Sequence, residues 1–144
     1  MHTVDTRTMD LMEGWFDEDE SVRFRANFAL HRDNGTADSA AVVIELEPGK
    51  ALGEHIDSPE EILLVMQGTV EFRVGDEYQL GTPGTVAVVP ARIPHSMRNV
   101  GTTTARVIGF FPSPKVVAEF VEPVQPLGVQ TMVFGEEPSA SAAD

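Results

Sequence analysis

Gly49-Lys50-Ala51-Leu52-Gly53-Glu54-His55-Ile56-Asp57-Ser58-Pro59-Glu60-Glu61-Ile62-Leu63-Leu64-Val65-Met66-Gln67-Gly68 is the segment from which the fold is read. Its second half, Ile62–Met66, is a short apolar run closed by Gln67-Gly68, the mark of a buried strand ending in a turn. In its first half His55 and Asp57 stand two positions apart, so an extended chain aims both at one face. Ser58-Pro59 turns the chain before Glu61. Downstream, Thr69–Val74 (TVEFRV) alternates Val70, Phe72 and Val74 with Glu71 and Arg73, and Gly75-Asp76 ends it. Tyr78–Leu80, Thr85–Val89, His95–Val100 and Ala105–Phe111 are further short strands, separated by Gly81, Pro83-Gly84, Pro90 and Pro94. Upstream, Ala41–Glu47 (AVVIELE) closes at Pro48-Gly49. Val22, Phe24, Ala26, Phe28 and Leu30 alternate with Arg23, Arg25 and Asn27 before the turn Asp33-Asn34-Gly35. Many short strands punctuated by glycine and proline predict an all-β antiparallel sandwich or barrel.

The ends read differently. Residues 1–20 are a short element and an acidic loop anchored by Trp15 and Phe16. Ser113-Pro114 has the form of a helix start, with Val116, Val117 and Phe120 facing the core. Residues 122–134 carry two prolines and several apolar residues, as an arm packed on the barrel or on a partner subunit would. The expected organisation is one domain over 1–134, with a core of about 22–111, a short C-terminal helix or arm over 113–134, and a disordered tail over 135–144.

Composition limits the function. A chain of 144 residues fits one domain, with 42% hydrophobic and 23% charged residues. With no cysteine, disulfides, cysteine nucleophiles and zinc–thiolate sites are excluded. The net charge of −13 repels phosphate backbones and anionic bilayers, so neither nucleic acid nor membrane is an expected partner. No apolar run is long enough for a membrane-spanning helix. The N-terminus lacks an apolar signal core, and the expected location is cytoplasmic.

Of the four histidines, His2 is terminal and His31 reads as a surface or packing residue beside a turn. His55 lies in the segment quoted above. His95 lies in a second one, from Gly84 through Pro90 and Arg92 to Asn99, in which His95, Met97 and Asn99 share a strand face. Imidazole nitrogens and carboxylate oxygens converging from facing strands suit a divalent transition metal with positions left open for a substrate. Glu60 is an alternative to Glu61, since the turn at Pro59 resets the strand phase. Asn99 reads as structural and Arg92 as a loop residue. Met66, Met97, Phe110 and Phe111 read as core or pocket lining.

The two segments resemble the paired signature motifs of the cupin superfamily. Gly49, His55, Glu61 and Gly68 match the first motif, with Asp57 in the slot of its second histidine. Gly84, Pro90, His95 and Asn99 match the second, with Arg92 in place of its middle glycine. The resemblance spans about residues 41–111. It implies a single jelly-roll barrel with a metal at its mouth, held by His55, Glu61 and His95. Asp57 is then a fourth ligand, a general base beside the ion, or a hydrogen-bond acceptor in a metal-free pocket. An oxygen-rich set favours Fe(II), Mn(II) or Ni(II), with zinc also possible. The expected function is a metal-dependent enzyme acting on a small organic molecule, dioxygenase-like or isomerase-like, with Asp57 and Glu61 as catalytic carboxylates. The alternatives are a small-molecule binding or sensing domain without turnover, and a metal-free acid/base isomerase. Small cupins pair through edge strands and terminal arms, so a homodimer formed through residues 1–30 and 113–134 is expected.

Overall fold

The computed structural model describes residues 1–135. The tail expected to be disordered therefore lies, beyond Gly135, outside the described residues. Twelve strands follow one another: β1 (Met12–Trp15), β2 (Arg23–Leu30), β3 (Ala40–Leu46), β4 (Ala51–Asp57), β5 (Glu61–Gln67), β6 (Val70–Val74), β7 (Glu77–Gly81), β8 (Val86–Val89), β9 (His95–Asn99), β10 (Ala105–Phe111), β11 (Val116–Val124) and β12 (Val129–Phe134). Among the described residues a single 3-10 turn, Arg32–Asn34, forms at the Asp33-Asn34-Gly35 signal. The strands build two six-stranded antiparallel sheets, in the orders β1-β2-β3-β10-β5-β8 and β12-β11-β4-β9-β6-β7. This is the all-β jelly roll expected from the sequence. Its core comes from the inward-facing alternate residues of both sheets, among them Leu46, Leu63, Val65, Val70, Met97 and Val107, all at most 2% exposed.

The C-terminal helix is not there. Residues 116–124 form β11, which pairs with β4 and β12. Val116 and Phe120 are four apart, a spacing that both a helix and a strand turn toward one side. β-Branched Val116, Val117, Val121 and Val124 favour the strand, and β4 supplies the partner it needs. Val116, Ala118 and Phe120 face inward, whereas Val117, expected in the core, is only half-buried. Pro123, which cannot donate to a ladder, sits in the register shift between Glu119 and Val124.

Two other expectations change. A bulge between Phe28 and Leu30 breaks the β2 alternation, so Ala29 is buried and Leu30 half-buried. Met66 and Phe110 do not line the interior. They fall on the outer phase of β5 and β10, where Phe110 is 44% exposed.

Candidate metal centre

β4 and β9 carry the two motif histidines into one place. His55 and His95 are direct cross-strand partners, and their ring centroids are 4.1 Å apart. The register slips between Leu52 and His55, so Leu52 and His55, three positions apart, both face inward. Gly53 lies within this slip. Its carbonyl accepts a hydrogen bond from His55 Nδ1 at 2.7 Å. A side chain there would overlap the Phe16 ring and meet Val22 Cγ1 at 3.1 Å. Gly53 thus lets the strand bulge under Phe16 and fixes the imidazole that follows.

His95 is held the same way, with Nδ1 donating to the Ile93 carbonyl at 2.9 Å. With each Nδ1 committed, both Nε2 atoms are left to the interior. Asp57, two residues beyond His55 and on the same face, places Oδ2 at 3.5 Å from His55 Nε2 and 3.1 Å from His95 Nε2. Glu61, the first residue of β5, brings Oε1 to 3.6 Å from His95 Nε2. Glu60 is exposed, while Glu61 is 3% exposed, so the strand phase after Pro59 turns Glu61 in and Glu60 out. Room for the Glu61 carboxylate exists because Gly109 of β10 has no Cβ to occupy it.

The donor atoms of His55, Asp57 and His95 all lie within 4.8 Å of one another, and all three residues are buried. Glu61 stands beside this group, nearest His95. Two donors bound at about 2.1 Å from one ion stand about 3.0 Å apart at right angles and about 3.4 Å apart at the tetrahedral angle. The His–Asp separations fall close to these values. His95 Nε2 is buried and makes no hydrogen bond, with the Asp57 and Glu61 carboxylates at 3.1 and 3.6 Å. A neutral imidazole that donates through Nδ1 presents a lone pair to two carboxylates, an arrangement that needs positive charge between them. A divalent cation meets that need, so the residues present fit a metal.

Without an ion, a proton supplies the charge. Burial disfavours the His95 imidazolium, but Asp57 and Glu61 outweigh it and push the group up to about 10. Asp57 is likewise opposed by burial, yet the two imidazoles hold its carboxyl well below the ordinary range. Glu61 goes the other way. Burial, reinforced by the Asp57 charge, raises it.

Asn99 is structural. Its Nδ2 donates to the Leu46 and Thr103 carbonyls, both at 2.8 Å, and its Oδ1 accepts from Gly101 N at 2.9 Å. Arg92 is exposed, at φ 62°, and its backbone N–H donates to the Asp57 carbonyl at 2.9 Å. Sequence reading missed Gly53 and Gly109, and expected Phe120 in the core but not at the site, where its ring stacks on His55 at 4.6 Å. A glycine inside a strand segment marks a bulge or a close approach, and that signal was available at both glycines. A cavity of about 460 Å³ opens beside His55, Asp57 and Glu61 and runs between the sheets to Trp15 and Leu127.

Residues 42–111 match the family model described as Cupin domain. Among solved structures, a Thermotoga maritima protein described as a predicted oxalate decarboxylase superposes with a TM-score of 0.65 at 16% identity, over 78% of this chain and 99% of that one. The protein KdgF from a Halomonas species gives 0.60 at 19% identity, over 78% and 94%. TT1209 from Thermus thermophilus gives 0.50 at 29% identity, over 54% and 76%. No curated protein matches the chain. No helix among the described residues is long and apolar enough to cross a membrane.

Proposed function

We propose that this chain, which carries a small cupin domain, binds one divalent transition metal through His55, Asp57 and His95, with Glu61 as the adjoining fourth donor. We further propose that it is an enzyme acting on a small organic molecule in a dioxygenase-like or isomerase-like reaction. The observation that carries the reading is the buried, unpartnered His95 Nε2 aimed among two carboxylates and a second imidazole. A nitrogen–oxygen donor set of this kind favours Fe(II), Mn(II) or Ni(II), with Zn(II) also accommodated. Bound there, the ion supplies Lewis acidity toward a substrate oxygen.

The protein's own groups do the rest. The Gly53 and Ile93 carbonyls hold the two imidazoles in the tautomer that leaves Nε2 free. Phe120, stacked on His55, keeps water from that side of the ring. Asp57 stays ionised between the two rings. Glu61, which stands beside the His55–Asp57–His95 group, exchanges a proton with a substrate in the cavity only when it is off the ion.

The test is elemental analysis of protein purified from metal-supplemented cells. About one transition metal per chain is expected, falling at least tenfold in His95→Ala. A wild-type chain without metal refutes the reading. One specific feature favours a second reading, a metal-free acid/base isomerase, in which Glu61, raised by burial, and His95, raised by the two carboxylates beside it, act alone. Activity that survives exhaustive chelation selects it.

We also propose that the chain forms a homodimer, through a face other than the terminal segments. Ile62 pairs with Val88 and Phe110, and Leu64 with Val86 and Ile108. These six apolar residues share the outer side of β10, β5 and the edge strand β8, where Ile62, Val86, Val88 and Phe110 are 44–63% exposed. A contiguous apolar face beside an open strand edge suits a second copy of the same surface.

A further inference from the structure

We infer that the cavity beside the proposed metal centre takes an uncharged, largely apolar, ring-bearing molecule that offers a single oxygen to that centre. The inference rests on the metal reading for the oxygen contact and on the cavity wall for the rest.

The wall is aromatic and aliphatic. Trp15, Phe24, Phe28, Phe111, Phe120 and Phe134 line it, together with aliphatic residues from both sheets. The rings also pack on one another, with Phe28–Phe134 centroids at 4.5 Å and Phe24–Phe120 at 6.2 Å, so flat faces are already presented to the space. Such a surface gains most from another flat apolar body. A volume of about 460 Å³ accommodates a molecule of two fused rings.

Charge points the same way. Among the described residues, no lysine or arginine lines the cavity. Two carboxylates formally neutralise a divalent ion, so the loaded centre carries no surplus positive charge for a phosphate or a dicarboxylate. Such a dianion would stand beside Asp57 and Glu61 in a low-dielectric space with no counter-charge of its own. A polyol meets a different obstacle. Apart from His55, Asp57 and Glu61, the buried lining residues have no side-chain hydrogen-bonding group, and the polar lining residues Glu13, Asn27 and Gln125 are exposed or half-buried, so hydroxyls held in the buried part would be unpaired.

The mouth agrees with the interior. Trp15 and Gln125 exchange two backbone hydrogen bonds, at 3.2 and 2.8 Å, and join the N-terminal strand to the C-terminal hairpin at the cavity. Beside that bridge the lining residues Met12 and Leu127 are each 64% exposed, so the apolar surface continues outward to meet an incoming apolar molecule.

Titration calorimetry on the full chain tests this, with metal-loaded and chelator-stripped protein and three probes: 2-naphthol, oxalate and glucose 6-phosphate. The expected result is that 2-naphthol binds at least tenfold more tightly than either anion in both forms, and that metal loading tightens it fivefold or more. Ala26→Trp and Ala118→Leu each fill the cavity and should weaken 2-naphthol at least tenfold. Ala26 is only half-buried, so its variant is expected to fold even if the Ala118 variant does not. A loaded chain that prefers oxalate or glucose 6-phosphate, or that ignores 2-naphthol, overturns the ligand class and leaves the metal reading standing. Binding of 2-naphthol by a chain that takes up no metal upholds the apolar cavity and refutes the metal reading. Binding to loaded protein that is indifferent to the metal overturns the oxygen contact.

Discussion

Gly109→Ala is the substitution whose outcome the geometry fixes most tightly. Gly109 lies in β10 outside the positive-φ positions, so alanine costs the backbone nothing there. The added Cβ would overlap Glu61 Oε2 outright and stand 3.1 Å from both Glu61 Cδ and Val42 Cγ1. To restore ordinary contact, the carboxylate must retreat by about 1 Å. Glu61 is 3% exposed, so it cannot swing into solvent and the neighbouring core must yield instead. Overpacking of this kind costs about 1–3 kcal/mol. Oε1, the Glu61 oxygen nearest His95 Nε2, belongs to the same carboxylate and must move with the displaced Oε2, so metal content should fall at least tenfold.

Urea unfolding of the stripped proteins measures the first effect and elemental analysis the second. The decisive comparison is a double-mutant cycle with Glu61→Ala. Removing the carboxylate removes the clash, so Gly109→Ala in that background should cost less by about 1 kcal/mol or more. If Gly109→Ala is neutral in both backgrounds, the glycine is not a cradle for Glu61 and the account of this side of the site is wrong.

Three further outcomes follow from other features. Arg92 occupies φ 62°, where a Cβ is strained, so Arg92→Gly keeps its backbone bond to Asp57 and should be neutral or raise stability by up to about 1 kcal/mol in a denaturant titration. In the chelated protein, His95 titrates near 10 when folded against 6.5 for the free group. Its stabilisation is therefore complete below about pH 6.5 and is lost as pH climbs toward 10. Glu61, raised above 4.5, adds a loss of the same sign as pH climbs past that value, and Asp57, lowered from 3.8, adds one on the acid side. Melting temperature of the stripped protein should thus fall between about pH 5.5 and pH 9, and the fall should shrink in His95→Ala. A stripped wild type that is more stable at the higher pH contradicts the proton-held arrangement. Light scattering should give a dimer mass for the wild type and a monomer mass for Val88→Asp, and a wild-type monomer refutes the proposed pairing face.

Much of this was legible in the chain. Alternation in Val70–Val74 and the glycine and proline turns dictate a period-two, turn-rich architecture, because a strand shows its faces to sequence every second residue. The spacing of His55, Glu61 and His95 within two motif-like segments marked the residues that come together. Other features depended on neighbours that lie far along the chain. Residues 113–124 satisfy helical and strand spacing alike, and the unpaired edge of β4 decides between them. The slip at Gly53, which brings Leu52 and His55 to the same side, exists only against the β9 register. Glu61 was separated from Glu60 by the phase of β5 against β8. The cavity wall joins Trp15 and Phe24 to Phe120 and Phe134, about a hundred residues apart. Local spacing determines which way a side chain points from its own strand. What it then meets is set by how the two sheets close on each other, and that is a property of the folded chain alone.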